Sequence, residues 1–111
     1  MSVKSFKMVG GDEVVARVLD TKSSKLLTDA PSPIETYVVS RPHILQIQPM
    51  GNGQVGLAFV PWTLSNPTIE RMEIPASAIV LVFDPSANVE KQYLEQTSGI
   101  SIATPGQRIS T

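Results

Sequence analysis

Cysteine is absent from this 111-residue chain, and histidine and tryptophan occur once each. Without cysteine there is no disulfide, no thiolate nucleophile and no thiolate-ligated zinc, which is compatible with a reducing cytoplasm. Nine Lys and Arg residues stand against ten Asp and Glu residues, so the formal net charge is -1. That balance excludes a global positive field for attracting nucleic acid or an acidic membrane, so any anion site must be local.

Long apolar runs are also missing. No uninterrupted apolar segment approaches the ~20 residues that would span a bilayer, and residues 1–13 lack the apolar core of a secretory signal. We therefore predict a soluble, cytoplasmic protein with no membrane partner. The length corresponds to one domain over residues 1–111, which is large enough to bury one hydrophobic core.

Frequent proline and glycine predict strands rather than helices. Nine prolines and seven glycines divide the chain into pieces of roughly five to nine residues, which is the length of strands. Gly10-Gly11 and residues 51–53 suit hairpin turns, and the proline after Arg41 predicts a bend there. Residues 20–36 read as a long loop. The predicted strands are 3–9, 12–20, 36–50, 54–62, 69–74 and 79–83.

The segment EIPASAIVLVFDPS, residues 73–86, joins the last two strands. A proline at the first position of residues 75–78 predicts a single 3₁₀ turn that redirects the chain, so Ile74 ends one strand and Ile79 begins the next. A helix over 86–99 follows, with Ser86 as N-cap and Gly99 as its stop, and lies across one open side of the sheet. Residues 100–111 form a tail. We predict an all-β fold: a small, strongly bent, five- to six-stranded barrel in residues 3–85 with one accessory C-terminal helix.

Several motifs resemble one family of small β-barrels. A hairpin reading apolar-x-Gly-x-Glu-apolar-apolar, a long third strand and a 3₁₀ link between the last two strands resemble the Sm-like (SH3-like) barrel of Sm, LSm and Hfq proteins. The stretches MVGGDEVVARV, SRPHILQI, GLAFVPW, MEIPASAIVLVFDP and YLEQTSGI are similar to Sm-like proteins of tailed phages, especially cyanophages. The resemblance covers roughly residues 5–102. If the chain is phage-encoded, its location would be the host cytoplasm.

The resemblance implies a homo-oligomeric ring, which we expect to contain about five to seven subunits. In Sm-like rings the strand after the 3₁₀ turn pairs with the penultimate strand of the next subunit, and closure removes the free strand edges. Alternation along that strand predicts one packing layer for its odd-numbered residues and another for its even-numbered ones. The alternative is that the chain's own helix covers the second face. The expected interface residues are Met72, Ile74, Ile79, Val80, Leu81, Val82 and Phe83.

Sm-like rings also bind single-stranded RNA, through two loops that correspond here to residues 20–36 and 75–78. The Asp-x-apolar-x-Asn of the family is absent from the first loop, and Pro-Ala-Ser replaces the Arg-Gly or Lys-His of the last turn. Recognition of uridine by the usual residues is therefore not expected. Trp62 suits either a partner anchor, a base-stacking platform or the core. The candidate RNA-binding residues are Lys22, Lys25, Arg41, His43, Arg71 and Ser77.

Patterns for catalysis and metal binding are lacking in the sequence. His43 has no second ligand at metal-binding spacing, no turn exposes a serine nucleophile, and Gly10-Gly11 does not belong to a phosphate-binding loop. We therefore expect no enzyme activity, cofactor, metal or small-molecule substrate. The predicted function is single-stranded RNA binding or RNA chaperoning by an Sm-like ring. The alternative is a structural or protein-interaction ring of phage origin that does not bind RNA.

Overall fold

A computed structural model of the protein describes residues 2–23 and 33–98. These residues form six strands, one 3₁₀ turn and one α-helix. Residues 99–111, which include the predicted helix stop at Gly99 and the predicted tail, lie outside the described residues. The elements are β1 (Ser2–Met8), β2 (Glu13–Ser23), β3 (Ile34–Gly51), β4 (Gln54–Pro61), β5 (Met72–Pro75), the 3₁₀ turn (Ala76–Ala78), β6 (Ile79–Phe83) and α1 (Ala87–Thr97).

All the strand pairs are antiparallel and belong to one sheet with the order β4-β3-β2-β1-β6. The strand β5 also pairs with β3, next to the N-terminal half of β3, whereas β4 pairs with its C-terminal half. The predicted all-β fold with one helix is therefore confirmed. The predicted closed barrel is not found, because no ladder joins β6 to β4 or β5 within the described ranges. The sheet is open.

Local turn chemistry agrees with the two predicted hairpins. The turn between β3 and β4 places Asn52 at φ 54° and Gly53 at φ 75°, between the paired residues Gly51 and Gln54. Positive φ at both central residues is the type I′ geometry, whose twist matches that of antiparallel strands. At the first hairpin, Gly11 adopts φ 103°. A glycine has no Cβ to oppose that conformation.

The strand β3 contains a bulge at Arg41-Pro42, where the sequence predicts a bend. Ser40 pairs with Arg17 and His43 with Val15, so two residues of β3 lie opposite one residue of β2. Arg41 adopts φ 50°, a left-handed conformation that is uncommon for a residue with a side chain. A bulge bends its strand and increases the local twist. The bulge therefore curves the sheet without ending β3.

Several strand boundaries differ from the sequence prediction. The strand predicted for 69–74 begins only at Met72, because Ile69 takes part in the preceding loop. Its N–H donates to the Asn66 carbonyl at 3.2 Å and its carbonyl accepts from the Arg41 N–H at 2.9 Å. The predicted loop 20–36 is also shorter at both ends, because β2 extends to Ser23 and β3 begins at Ile34.

The sheet is apolar on both faces. One core cluster is enclosed by the curved sheet itself, and the other lies between the sheet and α1. Neighbouring residues of β2 point to opposite sides, as expected for a strand. Trp62 packs against the first cluster, which favours the core among its predicted roles. The first cluster comprises Phe6, Met8, Val14, Ala16, Val39 and Ile74, and the second comprises Val3, Val15, Phe59 and Tyr93.

The helix α1 begins where the sequence predicts it. The Ser86 hydroxyl accepts a hydrogen bond from the Val89 N–H at 3.3 Å, which satisfies one of the free donors of the first turn. Val89, Tyr93 and Leu94 contact the second cluster, so the predicted placement of the helix on one open side of the sheet is confirmed. Within the described ranges no helix has the length and apolarity needed to cross a membrane.

Candidate functional site

The 3₁₀ turn Ala76–Ala78 connects two strands that lie at opposite sides of the sheet. Pro75 precedes it in extended conformation, with φ -68° and ψ 139°, and Ile79 resumes extended structure at φ -111° and ψ 130°. The strand β5 before the turn pairs with β3, and β6 after the turn pairs with β1. The predicted one-turn redirection is confirmed. It joins two strands whose outer edges have no strand partner within residues 2–23 and 33–98.

Side chains of β6 do not alternate as the sequence predicts. Ile79 and Val82 pack against the first core cluster, whereas Val80 is 67% exposed and Leu81 is 55% exposed. The cause is a bulge: Leu81 pairs with Lys7 and Ile79 with Met8, so Val80 has no residue opposite it. Because an extra residue reverses the alternation of a strand, the predicted odd and even layers are wrong. The exposed apolar surface of β6 is Val80 and Leu81.

Other members of the predicted interface take varied positions. Ile74 of β5 is fully buried in the first cluster, so it could reach a neighbouring subunit only through its backbone. Met72 is half-buried and packs against the same cluster. Phe83 is half-buried at the end of β6, where it pairs with Ser5. An interface along this edge would therefore rest on backbone pairing together with the side chains of Val80 and Leu81.

Two of the predicted RNA-binding cations lie beside carboxylates. The Lys22 ammonium is 2.7 Å from a Glu73 carboxylate oxygen, and its hydrogen bond and charge hold the pKa of Glu73 below the usual value. Arg71 lowers the same pKa further. The Arg41 guanidinium lies 2.7 Å from the Glu70 carboxylate. Such surface pairs are weak, but each neutralises the local charge that a phosphate would need.

The remaining predicted RNA-binding residues are dispersed. His43 is buried, and its Nδ1 lies 2.9 Å from the Arg41 carbonyl, so this nitrogen carries the proton in the hydrogen bond. Ser77 is exposed on the 3₁₀ turn, and Arg71 is exposed just before β5. Lys25 lies outside the described residues. The structure therefore brings together Lys22, Arg71 and Glu73, but it does not form one positive surface from the predicted set.

A polar network centred on Tyr93 was not predicted from the sequence. Its hydroxyl lies 2.8 Å from the Arg41 carbonyl and 3.2 Å from the Ser40 carbonyl, so one proton serves two backbone acceptors of the bulge. Thr97 donates to the Tyr93 carbonyl at 2.9 Å and accepts from the Arg17 guanidinium at 3.2 Å. This network joins the C-terminal half of α1 to β2 and β3. The sequence predicted the bend at Arg41-Pro42 and the helix that carries Tyr93, but not the hydrogen bonds between them.

Burial governs the ionisation of Tyr93. Loss of solvent around the phenol raises the pKa of Tyr93 to about 12, and the nearby Arg17 and Arg41 cations act in the opposite direction. A buried phenol is costly to ionise because the phenolate loses its hydration. At neutral pH the hydroxyl is therefore a stable hydrogen-bond donor to the bulge. Its role is structural.

No three His, Asp or Glu side chains in residues 2–23 and 33–98 are grouped so that they could hold a metal ion.

Comparison with known proteins adds no assignment: no protein-family model matches the chain, and no curated protein matches it either. The candidate site is therefore defined by the molecule's own geometry. It consists of the strands β5 and β6 and the 3₁₀ turn that connects them.

Proposed function

We propose that this protein forms a homo-oligomeric ring in which β6 of one copy pairs with β5 of the next, and that the ring acts as a structural or protein-interaction module rather than an enzyme. The observation that carries the proposal is β6 itself. It is an edge strand whose outer backbone groups have no partner within the described residues, and it exposes Val80 and Leu81. An uncovered apolar edge of this kind favours association with another strand.

The positions of the two strands favour a closed assembly. The edges of β5 and β6 are different surfaces, so their pairing is head-to-tail and each copy offers one of each. A head-to-tail contact produces a ring when its rotation closes and an open filament when it does not, and only the ring leaves no free edge. The 3₁₀ turn of three residues joins β5 directly to β6, so the two surfaces follow each other closely in the chain. We expect about five to seven subunits, as the Sm-like resemblance implies.

The resemblance to Sm-like proteins supports the same proposal. Its structural elements were an opening hairpin, a long third strand and a 3₁₀ turn between the last two strands, and the chain has each of them. We propose that the open sheet is one subunit's share of an Sm-like barrel assembly. Strand pairing between copies would then extend the sheet around the ring.

Light scattering on the full chain tests the ring. We expect a mass of about five to seven subunits at micromolar concentration. The double variant Val80→Lys, Leu81→Lys places two charges on the proposed interface and should yield monomers that keep their fold. Leu64→Lys is the matched control, because Leu64 is an exposed apolar residue in the loop between β4 and β5. A monomeric wild-type chain, or a double variant that still assembles, would exclude the proposal.

A second candidate function is binding of single-stranded RNA by the same ring. The observation in its favour is that Arg71 is exposed and forms no salt bridge within the described ranges, close to the 3₁₀ turn that carries Ser77. Phosphate binding at Lys22 or Arg41 would have to displace a carboxylate, which disfavours it. Titration with labelled U-rich and A-rich oligonucleotides at moderate salt is the test. No binding at roughly tens of micromolar would rule this function out.

A further inference from the structure

A cleft is lined by α1 together with the strands β1 and β2. Its volume is about 440 Å³, which is in the range of small-molecule sites. Val3 and Arg17 pair directly across β1 and β2, so their side chains lie next to each other on one face of the sheet. Val3 belongs to the second core cluster, so this is the face that α1 covers. We call this space the helix cleft, and its lining residues are Ser2, Val3, Arg17, Asp84, Glu90 and Leu94.

The guanidinium of Arg17 is the cation of the helix cleft. It forms no salt bridge with a carboxylate of residues 2–23 and 33–98. Its Nη2 donates to the Thr97 hydroxyl at 3.2 Å, whereas its Nε is buried and has no hydrogen-bond partner among the described residues. A guanidinium has five N–H donors and matches a carboxylate in shape and charge. Arg17 therefore has donors to spare for an anionic group in the cleft.

The opposite charge lies on the helix side. Glu90 is half-buried in the first turn of α1, and its carboxylate forms no salt bridge within the described ranges. The Asp84 carboxylate, in contrast, is paired with the Lys4 ammonium. Arg17 and Glu90 line the same cleft without pairing with each other, so space separates the two charges. A ligand that carries both charges can pair with both residues.

Val3 and Leu94 supply an apolar surface between these charges. Val3 is only 8% exposed, Leu94 is half-buried, and both contact the second core cluster. Glu90 and Leu94 are four residues apart in α1, so they lie on the same side of the helix. The helix cleft therefore combines a cation, an anion and an apolar surface in one space.

We propose that the helix cleft binds a small zwitterion with an apolar side chain, which is the chemistry of a free α-amino acid. The carboxylate of the ligand pairs with Arg17, its ammonium group pairs with Glu90, and its side chain contacts Val3 and Leu94. The molecule is a bound ligand and not a substrate, so no catalytic step is involved. None of the lining residues belongs to β5 or β6, so the proposal does not depend on the ring.

Titration of the full chain with leucine tests the proposal, with the methyl resonances of Val3 and Leu94 followed by nuclear magnetic resonance. A ligand of so few atoms should saturate these shifts at roughly millimolar concentration. N-acetyl-leucine lacks the ammonium charge and leucinamide lacks the carboxylate, so each should bind at least about tenfold more weakly. No saturable shift below roughly 50 mM, or equal binding of the three compounds, would overturn the proposal.

Two charge-removing variants assign the contacts. Glu90→Gln should weaken leucine binding about tenfold and leave the affinity for N-acetyl-leucine unchanged, whereas Arg17→Gln should weaken leucine binding and spare leucinamide. Glu35→Gln is the matched control, because Glu35 is an exposed carboxylate of β3 that does not line the cleft. If Arg17→Gln does not fold, Glu90→Gln decides alone. An unchanged affinity of Glu90→Gln for leucine would refute the proposal.

Discussion

Replacing Tyr93 by phenylalanine tests how α1 is held to the sheet. The substitution keeps the ring, which packs edge-on against His43 and Phe59 with centroid separations of 5.8 Å and 6.2 Å. It removes only the hydroxyl that donates to the Arg41 and Ser40 carbonyls. The bulge would lose its donor from the helix, while the apolar contacts of the second cluster would remain.

The expected loss of unfolding free energy depends on which hydrogen bonds remain at the carbonyls of the bulge. Leaving a buried acceptor without its donor costs about 1–3 kcal/mol. The Arg41 carbonyl keeps its contact with His43 Nδ1, so the loss should lie in the lower part of that range, about 1–2 kcal/mol. In a domain of this size that corresponds to a fall in Tm of roughly 4–8 °C.

Urea unfolding at a fixed protein concentration measures the loss, since association would make stability depend on concentration. The midpoint should fall while the dependence of the unfolding free energy on urea stays the same. Tyr37→Phe is the matched control: Tyr37 is half-buried against Phe6, and its hydroxyl has no hydrogen-bond partner among the described residues. The unfolding free energy of Tyr37→Phe should differ from that of the wild type by no more than about 0.5 kcal/mol. Equal losses for both variants would refute the role assigned to the Tyr93 hydroxyl.

Two further predictions concern α1 and its tyrosine. In a Tyr37→Phe background Tyr93 is the only tyrosine. Its ultraviolet titration should have a midpoint of about 12. A midpoint near the ordinary value of about 10 in the folded protein would contradict the burial of Tyr93. Because the pKa of Tyr93 is raised on folding, its contribution to stability is complete below about pH 10 and is lost as the pH rises through about 12. Ser86→Ala should lower the unfolding free energy by about 1 kcal/mol through loss of the N-cap, whereas Ser86→Gly should lower it by only about a few tenths of a kcal/mol. Denaturant titration measures both losses. No difference between wild type and Ser86→Ala would contradict the capping role.

Local signals predicted the turns and the helix start correctly. Asn52-Gly53 adopts positive φ, Pro75 precedes a single 3₁₀ turn, and Ser86 caps α1. Each of these depends on the conformational preference of one or two residues or on a hydrogen bond to a near neighbour. Such preferences act in any fold. The turns and the helix start can therefore be predicted without knowing which strands pair.

The candidate site was predicted less completely. The proline and apolar run of residues 75–83 indicated the redirecting turn and the edge strand, but the bulge at Val80 arises from pairing with β1 and changed which side chains are exposed. The cations proposed for RNA followed from residue type and, for Lys22 and Lys25, from their place in the predicted loop 20–36. Lys22 meets a carboxylate 51 positions away along the chain, and no local pattern contains that pairing.

By itself the sequence determined an antiparallel β protein with tight hairpins and one capped helix, because strand length, positive-φ turns and capping are local properties. Only the tertiary structure decided that the sheet stays open, that Val80 and Leu81 face outward, and that Tyr93 lies over the bulge. The Tyr93 hydroxyl and the Arg41 carbonyl are 52 residues apart. Contacts of that range depend on how the whole sheet curves, and the curvature results from all the strand pairings together.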